Sequence, residues 1–291
     1  MKLYLILALG VACISTAAVI IRVIEAPAIS IALYRMGIAS LFLLPITIAK
    51  RKTQVLHLSF QDICLCTISG VALALHFGSW ITSLGYASIA SSVILVTTSP
   101  LIVAILSRIY FHESINRNVC FGLMFGLTGA FILTIGDRYV GKQEFYGDVL
   151  AMIGALSFAI YLMIGRKLRQ HISNLNYVTV VCLVAFTILL LTSILTNTQM
   201  LGFNYHTLWL LLILAIIPQL IGHSSITWAL GKINATLVSI AIMAEPIGAT
   251  MLAWFVLNEP PSWTNSLGGI LIFAGIFLAF RNTNQRSHIS R

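Results

Sequence analysis

Charge is what this sequence has least of. Only 9% of its 291 residues are Asp, Glu, Lys or Arg, where a soluble domain carries about 25%. No polar stretch is long enough to build a soluble domain. The eight Asp and Glu residues are scattered along the chain, so no acid cluster marks a membrane-embedded enzyme. No Gly-Lys-Ser/Thr phosphate loop is present, which argues against transport driven directly by ATP. The five cysteines (Cys13, Cys64, Cys66, Cys120 and Cys182) are odd in number, and all lie in or beside apolar runs. That arrangement fits neither a disulfide framework nor a paired-ligand zinc site. No cofactor and no metal are expected.

What the chain has is apolar length: 59% of it is hydrophobic and its mean hydropathy is +0.98. A spanning helix needs about 20 mostly apolar residues. Ten segments qualify, at roughly 3–21, 28–49, 63–83, 87–109, 119–136, 147–165, 177–195, 208–230, 235–257 and 264–280. Backbone groups in lipid must be satisfied within their own segment, which demands helices. A barrel is ruled out because no period-2 alternation is present. The first run follows Lys2, as a signal peptide would, but exceeds an h-region of about 7–15 residues and has no small-residue cleavage site. The expected fold is an all-α integral membrane protein, multi-pass in the cell (inner) membrane, with the lipid bilayer as its surroundings.

The formal charge of +9 invites a nucleic-acid reading, which its distribution rejects. With the N-terminus inside, thirteen Lys and Arg fall on the inner side and three on the outer, with Arg35 inside a span. This is the positive-inside pattern, and it places both termini in the cytoplasm.

Shifted by 146 residues, the chain matches itself without gaps: Gly85 over Gly231, Pro100 over Pro246, Glu113 over Glu259, Gly122 over Gly268 and Gly129 over Gly275. The first helices match at a shift of 144, with Gly10 and Arg22 over Gly154 and Arg166. Two five-helix units follow, at residues 1–140 and 141–291. Five is odd, so the second copy enters the membrane from the opposite side. Inverted repeats suit a carrier that opens alternately to either face.

Pro100 and Pro246 lie inside the fourth and ninth spans. Each removes a backbone N–H and loosens the carbonyl four residues earlier, at Val96 and Ile242. Freed groups are tolerated where they line a cavity, so the matched prolines point to a shared central cavity, or else to packing kinks. Glu245 lies ten residues into its span, about 15 Å deep, where a lone acid is expensive and usually functional. Arg35, about 10 Å from the outer end of its span, either snorkels outward or faces inward to hold a carboxylate or phosphate. Thr97, Thr98, Ser99 and Gln219 lie at comparable depth. His76 and His223 occupy nearly equivalent places and are too few for a metal. Tyr34, Trp80, Tyr161 and Trp228 line a cavity or form the interfacial belt. Gly122, Gly126 and Gly129, with Gly268, Gly269 and Gly275, give two helices smooth packing faces. Glu113 and Glu259 read as turn anchors.

The paired pattern Pro100…Glu113…Gly122 and Glu245-Pro246…Asn258-Glu259…Gly268, with Tyr34-Arg35 in the second span, resembles the EamA-type branch of the drug/metabolite transporter superfamily. The resemblance covers nearly the whole chain. It implies secondary transport of a small metabolite, often an amino acid or related compound and commonly by export, through a cavity between the two halves. Ser99 stands where the second repeat has Glu245, and the seventh span has no counterpart of Arg35, so the cavity is expected to be electrically lopsided. Alternative cargoes are nucleotide-like or adenosyl compounds and lipophilic cations; a channel is disfavoured by polar residues gathered near the midplane. The expected partner is a small-molecule substrate, with protons as the candidate coupling ion and no nucleic acid, in a monomer or homodimer.

Overall fold

A computed structural model describes residues 2–49, 59–86, 92, 95–112, 115–134, 144–257 and 263–281. Glu113, Asn258 and Glu259, expected near helix turns, lie outside the described residues. So do the basic residues Lys50, Arg51, Lys52, Arg138, Lys142, Arg286 and Arg291.

Among the described residues the chain is helical and contains no strand. The helices are α1 (Lys2–Val23), α2 (Ala28–Ala49), α3 (Phe60–Ser83), α4 (Ser99–Tyr110), α5 (Arg117–Thr134), α6 (Glu144–Leu168) and α7 (Asn174–Leu195). Next comes a compound helix: α8 (Tyr205–Leu214), a π-helical segment (Ala215–His223) and α9 (Ser224–Leu230). The chain ends with α10 (Ala235–Ile242), α11 (Glu245–Leu257) and α12 (Trp263–Phe280). Seven helices are long and apolar enough to cross a membrane, and three shorter apolar ones lie at Ser99–Phe111, Arg117–Ile132 and Ser266–Phe280. Short polar residues start several of them. Ser59 caps α3 in a reciprocal box with Asp62, and Ser173, Asn204 and Asn234 each accept an N–H from the first turn of α7, α8 and α10.

The distribution of side chains is inverted relative to a soluble protein. Ser15, Ser30, Arg35, Ser69, Gln219 and Thr227 are buried, while Leu41, Phe121, Leu195, Trp209 and Phe255 face outward. Outward apolar and inward polar is what hydrocarbon surroundings select. The chain is a multi-pass membrane protein.

Packing relates elements 146 positions apart. Helix α5 lies along α12, where a Cβ on Gly122 would sit 2.8 Å from the Gly275 carbonyl and one on Gly129 would sit 2.6 Å from that of Gly268. The two smooth faces expected from the sequence therefore meet each other within one chain. Helix α1 packs on the π segment and α9, as α6 packs on α3. A Cβ on Gly10 would meet Ser225, and one on Gly154 would meet Ser79. Both serines bond the carbonyl four residues back, Ser79 to Leu75 and Ser225 to Ile221.

Candidate functional site

The prolines do something other than kink a helix. Helicity stops at Val96, two residues turn, and α4 begins at Ser99 with Pro100 second. In the other half α10 stops at Ile242, two residues turn, and α11 begins at Glu245 with Pro246 second. In the first turn a missing N–H costs nothing and a fixed φ helps. The local hydrogen bonds match. Thr98 N–H donates to Leu95 O at 3.1 Å and Leu101 N–H to Thr98 O at 2.9 Å; Ala244 N–H donates to Ala241 O and Ile247 N–H to Ala244 O, each at 3.1 Å. Two broken helices thus present Ser99 and Glu245 at equivalent starts.

Both breaks open on one cavity of about 90 Å³. Arg35, His76, Trp80, Thr97, Ser99, Pro100, His223, Glu245 and Pro246 all line it, so nine of the residues singled out in the sequence come together. Arg35 is 1% exposed and does not snorkel. Its Nε donates to Gln219 Oε1 at 3.0 Å, and its Cζ lies 4.0 Å from the centre of the Phe77 ring. A cation over an aromatic face is held by the ring quadrupole. Gln219 donates in turn to Cys182 Sγ at 3.7 Å. It therefore stands behind Arg35, outside the cavity lining. The anchor is a neutral amide, which fixes the guanidinium without cancelling its charge. The Glu245 carboxylate makes no hydrogen bond or ion pair within 4.0 Å among the described residues, although it lines the same cavity as Arg35.

The rings form the wall. His76 Nδ1 lies 3.0 Å from Gly154 O and, facing a carbonyl, donates to it. The His76 ring stacks between Trp80 at 6.0 Å and Phe158 at 4.6 Å. Phe77 meets His223, its counterpart 146 positions on, edge to face at 5.3 Å. The Trp80 Nε1, His223 Nδ1 and Arg35 Nη1 atoms are buried without a hydrogen-bond partner among the described residues.

Other sequence candidates lie elsewhere. Tyr34 gives its hydroxyl to Met200 O at 2.9 Å and packs edge-on to Phe203, beneath the connection between α7 and α8. Trp228 borders a separate groove with Ile6 and Asn174. Tyr161 is buried in the core against Phe158 and Tyr177, and Thr98 bonds Leu95 O within the turn. Phe77, Phe158 and Ser239 line the cavity without having stood out. Phe77 carried a signal, since it follows His76 and aligns with His223; Phe158 carried none.

The π segment is the feature least visible in the sequence. Its wider turn spans Pro218, Gln219 and His223, so the residue that anchors Arg35 and the ring that faces Phe77 share one irregular stretch.

Comparison with known proteins accords with this architecture. A crystal structure superposes with a TM-score of 0.80 over 96% of each chain at 19% identity, which establishes the fold. An uncharacterized transporter of Archaeoglobus fulgidus is 24% identical over 266 residues, 88% of this chain and 89% of that one. The uncharacterized transporter YdfC of Bacillus subtilis is 21% identical, covering 89% of this chain and 84% of its own. Residues 1–135 and 145–281 each match the EamA-like transporter family. A multi-pass helical protein so matched along nearly its whole length belongs to the EamA-like transporter family.

Proposed function

We propose that this protein is a secondary carrier that moves a small metabolite, an amino acid or related compound, outward across the cell membrane by alternating access. Its working units are two inverted five-helix repeats, residues 1–140 and 141–291, in ten spans with both termini cytoplasmic. The matched helix breaks 146 positions apart and the reciprocal glycine contacts of α5 and α12 support that reading of the backbone. Thirteen inner against three outer basic residues support the orientation.

One observation carries the functional reading. A fully buried Arg35 whose Nη1, and a Glu245 whose carboxylate, have no hydrogen-bond partner among the described residues line one cavity at the two helix breaks. Arg35 holds the substrate's anionic group. Glu245 receives its ammonium group or, when that is absent, a proton, which couples the cycle to the proton gradient. An intramembrane acid and base that do not quench each other are costly to keep, and a zwitterion satisfies both.

The test is uptake of labelled metabolites into liposomes holding purified protein, with and without an imposed pH gradient. Flux of one metabolite class that depends on the gradient, and is lost in Glu245→Gln and Arg35→Gln, is the expected result. Flux that survives Glu245→Gln removes the coupling role. Absence of any flux from protein shown to be folded removes the carrier reading for the metabolites tried.

A further inference from the structure

The cavity is lined by two unpartnered groups that can only donate. Among the described residues Arg35 Nη1 and Trp80 Nε1 are buried without a partner, on side chains 1% and 7% exposed. Guanidinium and indole nitrogens donate and never accept. Buried donors without partners are rare in native proteins, and a pair of them in one cavity calls for an acceptor. A third nitrogen, His223 Nδ1 on a ring 5% exposed, is also unpartnered and takes either role with its tautomer.

The remaining contacts of these side chains fix where the donors sit. Arg35 spends Nε on Gln219 and one face on Phe77, which leaves Nη1 for a ligand. The Trp80 indole stacks parallel to His76, at an interplanar angle of 4°, so its edge is held. Arg35 is on α2 and Trp80 on α3, whereas Glu245, the cavity's acid, begins α11. The donors and the acid therefore arise from different helices.

We propose that Arg35 and Trp80 are the pair that reads a carboxylate, with His223 as its third contact, and that the site selects substrates by requiring that carboxylate to be free. This rests on the carrier reading above and assigns Trp80 a specificity role within it. A carboxylate offers two acceptor oxygens to two donors. A primary amide of the same shape offers one oxygen and turns N–H groups toward Arg35 and Trp80, neither of which can accept. A site built to pair buried polar groups rejects an analogue that leaves them unpaired far more strongly than it rejects a change in apolar bulk.

The test compares L-alanine with L-alaninamide and L-phenylalanine with L-phenylalaninamide, read as ligand-dependent shifts in thermal unfolding of the detergent-purified full chain. Wild type is expected to bind the acid of at least one pair at least about tenfold more tightly than its amide. Trp80→Phe keeps a ring and deletes the N–H. It is expected to weaken the acid about tenfold and leave the amide's affinity unchanged, so the gap narrows. Arg35→Lys keeps the charge, loses the planar fork and narrows the same gap, which keeps the test open if Trp80→Phe does not fold. Equal weakening of acid and amide in these variants, or a wild type that binds both alike, overturns the proposal and leaves the carrier reading standing. A wild type that binds no member of either pair removes the amino-acid reading of the site together with this one.

Discussion

The two broken helices are alike in backbone and unlike in chemistry. Around Pro100 and Pro246 equivalent positions, 146 apart, make the same i to i−3 hydrogen bonds, yet one half-helix starts with Ser99 and the other with Glu245. The third helix of each half differs in the opposite sense. Helix α3 runs unbroken from Phe60 to Ser83, while residues 205–230 pass through a π segment at Ala215–His223. The shared features hold the bundle together and open the cavity. Of the unshared ones, Arg35 and Glu245 charge the cavity, and Gln219, behind the lining, holds Arg35 in place. In the proposed duplication, the shared breaks belong to the scaffold and the departures from it to the site.

Substitutions can break or sharpen that contrast. The largest effect is expected from Arg35→Gln, since the other half has no arginine to stand in: flux in liposomes falls by about a hundredfold or more, as for loss of a buried charged contact. Moving the acid to the equivalent place, with Glu245→Ser and Ser99→Glu together, is expected to leave coupled flux unrestored because Arg35 and the π segment have not moved with it. Restored flux would show the halves to be chemically interchangeable.

A smaller loss, about tenfold in KM with little change in maximal rate, is expected for Gln219→Leu, which leaves Arg35 Nε unpaired and its fork less well aimed. Gln219→Glu sets a charged partner in the same place and sharpens the point. It is expected to weaken anionic substrates more than Gln219→Leu does, because the anchor then competes for the guanidinium. Least affected is Asp62→Asn. It breaks the exposed contact between Asp62 and His171, 3.0 Å apart with the His171 side chain 53% exposed. It is expected to cost less than about 1 kcal/mol in thermal unfolding and to leave flux unchanged.

The helices were legible because lipid enforces length. The predicted segment 28–49 is α2 residue for residue, and 177–195 falls within α7, Asn174–Leu195. Their interruptions were legible only as prolines. A proline marks where a helix is disturbed and leaves open whether it bends the helix or starts a new one, and the second holds at both sites. The π segment was not legible, since Ala215–His223 reads as ordinary apolar helix around Pro218.

Among site residues, Arg35, Glu245, His76 and His223 stood out because polar groups are scarce in such a chain. Phe77 and Phe158 did not, because phenylalanine is common throughout it. Tyr34 and Trp228 show the limit of aromatic reasoning, for a ring at a helix end serves a cavity or a loop contact equally well. The choice is made by packing, which for Tyr34 is the hydroxyl bond to Met200 O.

The central claim is that one cavity serves both faces of the membrane in turn. Ser239 is 1% exposed and lines that cavity, so Ser239→Cys in a chain with its five native cysteines replaced reports access to it. A membrane-impermeant maleimide applied from either side is the measurement. This cysteine is expected to be labelled from each side separately, with a transported substrate slowing labelling from both. Labelling from one side only, or a continuous path that passes the reagent through, would contradict it.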